Sequence, residues 1–417
     1  VLIFERIREE MATAKGPARA IELGYEKALS AIVDANITTF ITAVILFVMG
    51  SGPVRGFSIT LGLGILTSLF TAIYVTRLLV VMWYDRKRPK SVLQGRSLKL
   101  VPQVTSWDFF RRWKLSIGAS VLMILVAVTS FGAQGLNFGI DFRGGTTIRT
   151  ESAETIDIGT YRGAIEELGL GDVTITEVFD PTFGPDQNVA MVRIQAQDDQ
   201  ESVTAELINS VEAALAAAVP DIKFTSVESV GPKVSGELIT TAVIAVMLAI
   251  GAVLVYIWLR FEWQFALGAV AALVHDVVLT IGVFAIFQIQ FDLAIIAALL
   301  TIVGYSLNDT VVVFDRVREN LRKYKKKQLG EVLNLSINET LSRTVMTSVT
   351  TLLALLALYF LGGDVIRGFV FAMIWGVIVG TYSSVFVAST ILLKLGVKRD
   401  WSKPDGNAGT QFANVDA

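Results

Sequence analysis

Long apolar stretches with few charged residues alternate with short polar segments along most of the chain. Eight such stretches lie at about residues 37–49, 57–83, 115–131, 238–259, 265–287, 293–314, 345–361 and 369–395. Most reach the roughly 20 residues that an α-helix needs to cross a bilayer. The pattern predicts a polytopic α-helical membrane protein with about eight full spans, plus the end of another span at the first ten residues.

The apolar pattern is interrupted at 139–232, which predicts one folded domain outside the membrane. This segment holds five Lys and Arg residues against seventeen Asp and Glu residues, a net charge of −12. Its pattern predicts a β-α-β-β-α-β order, which is the order of the α+β ferredoxin-like split motif. The predicted elements lie at 146–150, 158–168, 173–179, 189–195, 202–218 and 224–230.

Lys and Arg residues predict the orientation, because cytoplasmic loops are enriched in them. Basic segments fall on one side of the predicted spans, at 85–90, 111–114, 316–327 and 394–403. That side is therefore expected to be cytoplasmic, and the domain at 139–232 to lie on the outer side. The run 316–327 is interpreted as a solvated, lipid-facing amphipathic segment.

These boundaries divide the chain into six regions. They are a first transmembrane region (1–84), a cytoplasmic linker (85–106), a transmembrane helix (107–138), the outer domain (139–232), five further transmembrane helices (233–397) and a cytoplasmic tail that is expected to be disordered (398–417).

Composition narrows the classes of function. Charged residues make up 18% of the 417 residues, against about 25% in soluble proteins. The absence of cysteine excludes disulfides, zinc-thiolate sites and thiol catalysis. The sequence contains no nucleotide-binding P-loop and no pairing of a nucleophile with a base. We therefore expect no enzyme, no cofactor, no metal and no nucleic-acid partner, and an ion gradient as the source of energy.

The first decapeptide returns late in the chain. V-L-I-F-E-R-I-R-E-E at 1–10 and V-V-V-F-D-R-V-R-E-N at 311–320 share five identical positions. A shift of 312 residues also aligns Gly50–Phe57 with Gly362–Phe369, each containing R-G-F. Same-orientation repeats are one of the plans of membrane transporters. The first copy is incomplete, and the chain opens on Val1 without an initiator Met, so we expect it to be a fragment.

Asp309 is the first candidate for chemistry, because it lies in an apolar span. It follows Asn308 and precedes the charged end of its helix by roughly 9 Å. A charge there costs at least about 2.5–3.5 kcal/mol. One interpretation is a structural ion pair or a cap-like polar residue; the other is a proton or ion carrier. Arg343 begins the next span on the same side and is the expected partner, which would hold Asp309 ionised when adjacent.

His275 and Asp276 lie together in the middle of the span 265–287. They are interpreted either as a polar pair that joins helices or as part of a proton relay, and nothing near this histidine completes a metal site.

The motif that opens the outer domain has a structural interpretation. Gly144 and Gly145 suit a tight turn where the chain leaves the membrane, and Asp141 and Arg143 are expected to fix that junction rather than to carry chemistry.

Six signatures together resemble the SecD and SecF proteins of the bacterial Sec machinery, members of the RND superfamily, which is built from pseudo-symmetric six-helix repeats. Residues 1–90 resemble the C-terminal end of SecD, and 98–400 resemble a complete SecF. The signatures are the first decapeptide, D-A-N-I-T-T (34–39), G-I-D-F-R-G-G (139–145), H-D (275–276), G-Y-S-L-N-D-T-V-V-V-F-D-R-V-R-E-N (304–320) and L-S-R-T (341–344).

The resemblance implies an auxiliary of the Sec preprotein translocase that uses the proton motive force late in export. It implies a multi-pass protein of the bacterial inner membrane with residues 139–232 in the periplasm, and a proton site at Asp309 and Arg343. The implied partners are the SecYEG channel, SecA, YajC and YidC, an unfolded preprotein, and membrane lipid. Na⁺ is the alternative coupling ion. The matching acidic residue of the SecD half would lie just before Val1.

Two other functions are consistent with the residues. One is an RND-type exporter of lipids or small molecules, although the outer domain is small for enclosing such a substrate. The other is a scaffold of the translocon, in which the polar residues only join helices. Export by an Asp309→Asn variant separates the scaffold from the proton carrier.

Overall fold

The computed structural model describes most of the chain. The described residues are 2–11, 14, 16–50, 52–88, 105–153, 155–166, 168–170, 173–180, 183–184, 187–195, 205–219, 221–230 and 232–397. Most of the predicted linker and the whole predicted tail, 398–417, lie outside them.

The membrane part is a bundle of apolar helices, most of them long. Eight segments of the described chain are long and apolar enough to span a membrane, which confirms the predicted number. The helices are α1 (Leu2–Met11), α2 (Pro17–Met49), α3 (Gly52–Phe70), α4 (Thr76–Lys87), α5 (Trp113–Gln134), α9 (Pro232–Arg260), α10 (Trp263–Phe287), α11 (Leu293–Lys323), α12 (Leu329–Leu361), α13 (Asp364–Ser383) and α14 (Ser389–Leu395).

Two helices start much earlier than the apolar pattern predicts. The spans predicted at 37–49 and 345–361 belong to α2 and α12, which are both 33 residues long. The additional turns are amphipathic, and their apolar side packs against neighbouring helices. Val332, Leu333 and Ile337 of α12, for example, are buried in the main core. Arg343 therefore lies in the middle of α12 and not at its start.

The centre of the bundle is formed by α10, α11 and α13, whose spans are the most buried. Their core contains Phe265, Phe284 and Phe314, all almost fully buried. The segment before α5 packs against α12 at the predicted cytoplasmic side. There the amide side chain of Asn338 accepts from the backbone N–H of Trp107 at 2.9 Å and donates to the Trp107 carbonyl at 2.8 Å.

The outer domain has the predicted order of elements. A short helix, α6 (Ile140–Arg143), precedes β1 (Gly145–Ser152), α7 (Ile158–Glu166), β2 (Val173–Val178), β3 (Asn188–Gln195), α8 (Ala205–Ala218) and β4 (Lys223–Val230). The four strands form an antiparallel sheet in the order β2-β3-β1-β4, the arrangement of a split β-α-β unit. Helices α7 and α8 pack on the sheet through a core that includes Ile148, Val192 and Leu215.

The repeat predicted from the sequence is also a repeat of structure. The bounds of α2 differ from those of α12 by 312 residues at both ends. A π-helical turn follows α3 at Thr71–Val75, and another follows α13 at Ser384–Ala388. The two R-G-F motifs meet: the rings of Phe57 and Phe369 lie 5.4 Å apart, edge to face. The two copies therefore face each other across the bundle.

Candidate functional site

Asp309 lies near the middle of α11, half-buried, and faces α12. The hydroxyl of Thr347 lies beside its carboxyl group. This hydroxyl donates to the backbone carbonyls of Arg343 (3.1 Å) and Thr344 (2.9 Å), so its oxygen can still accept a hydrogen bond. A protonated Asp309 could donate to it. The surroundings thus suit a carboxyl group that gains and loses a proton.

Arg343 is the predicted partner of Asp309, but the two do not form a close ion pair. Among the described residues, no nitrogen of Arg343 lies within 4.0 Å of a carboxylate oxygen. Its Nε is buried and has no hydrogen-bond partner in the same part of the chain. The Arg343 guanidinium is therefore not fixed by a single ion pair with a described residue.

Asn308 shares α11 with Asp309 but does not complete its hydrogen bonding. Its side-chain oxygen is buried and has no partner among the residues that the structure describes. Adjacent residues on a helix point about 100° apart. A role for Asn308 in the pathway stays a prediction.

His275 and Asp276 form the second polar centre, on α10. Their side chains are 3% and 0% exposed, and His275 Nδ1 lies 2.9 Å from Asp276 Oδ1. The other carboxylate oxygen accepts from the hydroxyls of Ser306 (2.6 Å) on α11 and Ser383 (2.8 Å) on α13. A buried imidazole and carboxylate that share one proton carry no net charge, so this pair can exist in the apolar interior.

The two centres are neighbours along α11. Ser306 precedes Asp309 by three residues, a rise of about 4.5 Å. Further hydroxyl pairs lie in adjacent turns and connect the helices: Ser348 with Thr381 at 2.7 Å, and Tyr305 with Thr351 at 3.0 Å. We call these residues the polar layer; its members are His275, Asp276, Tyr305, Ser306, Asp309, Thr347, Ser348, Thr351, Thr381 and Ser383.

Sequence reasoning missed the serine and threonine members of the polar layer. Hydroxyl side chains are common in transmembrane helices, where they often bond to their own backbone. Their contacts with Asp276 and Asp309 arise only from packing. The one signal comes from the structure and not from the sequence. Ser383 lies immediately before a π-helical turn, and such turns often mark functional sites.

A partly buried ion pair that was also missed joins the first copy to the rest of the bundle. Asp34 of α2, in the D-A-N-I-T-T signature, accepts from Arg260 Nε at 2.9 Å and from the Tyr256 hydroxyl at 2.8 Å, both on α9. The motif alone did not identify these partners, because they are more than 220 residues away.

The basic run 316–327 is only partly free to face lipid. Arg316 bonds to Glu339 of α12 at 2.6 Å and to Glu319 at 2.8 Å. Arg318 lies over the ring of Phe261. These residues are therefore engaged within the bundle, which corrects the prediction that the whole run is a solvated, lipid-facing segment.

The junction with the outer domain forms as predicted around Asp141 and the two glycines. Asp141 Oδ2 accepts from the backbone N–H of Leu293 at 3.0 Å, at the start of α11. Gly144 and Gly145 have φ of 76° and 143°, conformations that favour glycine. The Arg143 side chain, in contrast, is exposed.

Arg193 of β3 occupies the junction instead, and sequence reasoning missed it. It bonds to the side-chain oxygen of Gln290 and lies near the carboxylates of Asp141 and Asp292. Burial lowers the pKa of Arg193, and these two carboxylates oppose that shift. Burial, and then Asp141, raise the pKa of Asp292. The outer domain is thus tied to α11 by a compact charged cluster.

Comparison with known proteins identifies the relatives of this arrangement. The family model described as protein export membrane protein SecD/SecF, C-terminal, matches residues 1–86 and 210–398. The model of the SecD/SecF GG motif matches 129–155, which includes the junction.

Two curated relatives match different lengths of the chain. The protein translocase subunit SecF of Cereibacter sphaeroides is 62% identical over 320 residues, which are 77% of this chain and 99% of that protein. The protein translocase subunit SecDF of Brucella abortus is 42% identical over 95% of this chain and 51% of its own length.

A solved structure has the same fold. The crystal structure of SecDF from Thermus thermophilus, a translocon-associated membrane protein, is 35% identical, with a TM-score of 0.81 over 94% of this chain and 52% of that one. The chain spans about half the length of the SecDF proteins that it matches. It belongs to the SecD/SecF family of protein export membrane proteins.

Proposed function

We propose that this chain is part of an auxiliary of the Sec translocase in which Asp309 couples proton movement to protein export. The supporting observation is that the Asp309 carboxyl group lies in an apolar span. Beside it is the Thr347 hydroxyl, which can accept a hydrogen bond from the protonated carboxyl group, and near it is Arg343, which is not paired with it. A carboxyl group in such a setting is stable in both the neutral and the charged form, depending on where the arginine lies.

The polar layer offers a route for coupling. Protonation of Asp309 removes the attraction for Arg343, and α11 carries both Asp309 and Ser306, which bonds to Asp276. A change at Asp309 is therefore transmitted along one helix to α10 and α13. His275 and Asp276 are the second proton-carrying pair in this proposal. One charge crossing 100 mV supplies about 2.3 kcal/mol, enough to shift such an equilibrium.

The outer domain is the output of the proposed cycle. It is joined to the start of α11 through Asp141 and Arg193, so movement of α11 reaches the β-sheet directly. The partners in the proposal are the SecYEG channel with SecA, YajC and YidC in the inner membrane, and an unfolded preprotein on the periplasmic side. The coupling ion is H⁺.

The test is preprotein translocation into inverted inner-membrane vesicles that contain the chain in its native assembly, with and without a proton gradient. Asp309→Asn should lose the gradient-dependent part of export, by about tenfold or more, at normal abundance. A control is Glu22→Gln, because Glu22 is 57% exposed and pairs with Arg19 at 2.7 Å near the start of α2, away from the proposed site.

Three results would contradict the proposal. Gradient-dependent export by Asp309→Asn at the wild-type level would make the polar residues a scaffold. A response to a Na⁺ gradient alone would replace the proton. Equal losses in Asp309→Asn and Glu22→Gln would indicate a general effect of removing a carboxylate from the protein.

A further inference from the structure

Helix α1, the last third of α11 and the middle of α12 surround a cavity of about 260 Å³, large enough for several water molecules. Both copies of the repeated decapeptide contribute to its wall. Its charged lining includes Arg6 and Glu9 of the first copy, Arg316 and Glu319 of the second, and Glu339 and Arg343 of α12. The cavity thus leads from the predicted cytoplasmic side to the arginine of the proposed proton site.

Three of the four arginines that line the cavity already have close partners. Arg8 bonds to Glu5. Arg6 bonds to Glu9 at 2.6 Å, and it also lies 3.8 Å from Glu319 of the other copy. Arg316 bonds to Glu319 and to Glu339. Of the arginines named here, only Arg343 has no ion pair within 4.0 Å in the described part of the chain.

Carboxylates on two sides attract Arg343. The larger attraction comes from Glu9 of α1 and the next from Asp309 of α11, with Asp315 contributing less. Arg6 of α1 repels it. Glu9 is 45% exposed and lines the cavity, whereas Asp309 lies inside the membrane part of α11. Arg343 therefore lies between a carboxylate of the first copy and a carboxylate of the second.

We infer that Glu9 is a positioning residue for the proton site, which holds Arg343 at the cytoplasmic cavity and away from Asp309. The inference rests on the proposed function. When Asp309 takes up a proton, its carboxylate becomes a neutral carboxylic acid and Arg343, which stays protonated, pairs with Glu9. When Asp309 releases the proton, Arg343 returns to the Asp309 carboxylate. A residue of the first copy, Glu9, thereby controls the position of the arginine at the proton site of the second copy.

The test is an infrared titration of the protein in lipid nanodiscs, with the carboxylic-acid band of Asp309 assigned by its loss in Asp309→Asn. In Glu9→Gln, Arg343 loses the attraction of Glu9, while Glu5, Asp315, Glu319 and Glu339 at the same cavity keep their own arginine or asparagine partners, so Arg343 stays closer to Asp309. The midpoint of the band should shift to lower pH by about one unit, because an adjacent cation favours the ionised carboxylate. Glu9→Asp keeps the charge on a shorter side chain and should shift the midpoint less, in the same direction.

The control is Glu319→Gln, which removes the equivalent charge of the other copy from the same cavity but leaves Glu9 in place. It should keep the wild-type midpoint within about 0.3 unit, since Glu319 faces Arg316 and Arg6. Equal shifts in Glu9→Gln and Glu319→Gln would overturn the inference in favour of a general field effect. Wild-type midpoints in both Glu9 variants would overturn it as well.

The two proposals can fail separately. If Asp309→Asn loses gradient-dependent export but Glu9→Gln does not move the infrared midpoint, only the inference about Glu9 is wrong. If Asp309→Asn exports normally, the proposed function itself is wrong.

Discussion

The two copies of the repeat have the same shape but different chemistry. Helices α2 and α12 have the same length and start 312 residues apart, yet Arg343 of α12 corresponds to Ala31 of α2, and Thr347 to Ala35. The arginine and the hydroxyl that lie near Asp309 are therefore supplied by α12, and α2 has alanine at both equivalent positions. The shape of such a repeat follows from its apolar pattern, which both copies keep, while the polar side chains of equivalent helices differ.

Gly376 of α13 lies at a close contact between helices of the second copy. A Cβ atom on Gly376 would lie 2.4 Å from Cγ1 of Ile302 of α11. A Cβ atom on Gly64, the corresponding residue of α3, would have no atom within 4 Å among the described residues. Glycine at position 376 is therefore needed for the close packing of α13 on α11.

The largest expected effect is at Gly376. Gly376→Leu should force α13 away from α11 and destabilise the protein by about 3 kcal/mol or more, because overpacking a tight contact cannot be relieved without moving a helix. Gly64→Leu is the control at a position with open space in this chain and should change stability by less than about 0.5 kcal/mol. Unfolding of the 417-residue chain in one lipid composition measures both. Equal losses would mean that the contact with Ile302 is not the cause.

A second prediction concerns the attachment of the second copy to the outer domain. Burial, then Asp141, raise the pKa of Asp292, while the backbone N–H groups of Ile295 and Ala294 and the charge of Arg193 oppose this. A carboxyl group whose pKa is raised by folding stabilises the junction fully at pH below its unfolded value. That stabilisation is lost as the pH rises through the folded value. The junction should therefore open more readily at higher pH.

Hydrogen exchange of the amides of Phe291 and Leu293 measures this opening, after correction for the intrinsic pH dependence. Their protection should fall as the pH rises in the wild type and should stay constant in Asp292→Asn. The outer turn of the first copy, Gly50-Ser51-Gly52, contains no acidic residue and serves as the internal reference. Protection that falls equally at both places would locate the pH dependence elsewhere.

Much of this arrangement could be predicted from the sequence. Apolar runs predicted the eight spans, periodicity predicted the sheet of the outer domain, and the cost of a membrane-buried charge singled out Asp309 and Asp276. The contacts of Asp276 with Ser306 and Ser383 could not be predicted, because neither serine differs in pattern from other membrane serines. Arg193 was missed for a related reason, since its role depends on where the sheet meets α11.

The smallest expected effect compares one polar pair in the two copies. Glu10 and Lys27 of the first copy correspond to Asn320 and Glu339 of the second. Lys27 Nζ lies 3.1 Å from Glu10; the lysine side chain is 39% exposed and the glutamate side chain 9%. Asn320 is 2% exposed and donates at 2.7 Å to Glu339, whose side chain is 26% exposed. An ion pair with a solvent-exposed member contributes about 0–1 kcal/mol and is screened by salt, whereas a hydrogen bond from a neutral donor to a charge contributes about 1.5–3 kcal/mol.

Lys27→Ala should therefore lower stability by less than about 1 kcal/mol, and this loss should shrink as the ionic strength rises from 0.1 M to about 1 M, because the Debye length falls to roughly 3 Å. Asn320→Ala should cost about 1.5–3 kcal/mol at both ionic strengths, since Glu339 loses a hydrogen bond from a neutral, buried donor, which salt does not screen. Unfolding of both variants at the two salt concentrations tests the difference. A salt-sensitive loss in Asn320→Ala would show that the second pair depends on screened charge in the same way as the first, and the two copies would then not differ at this pair.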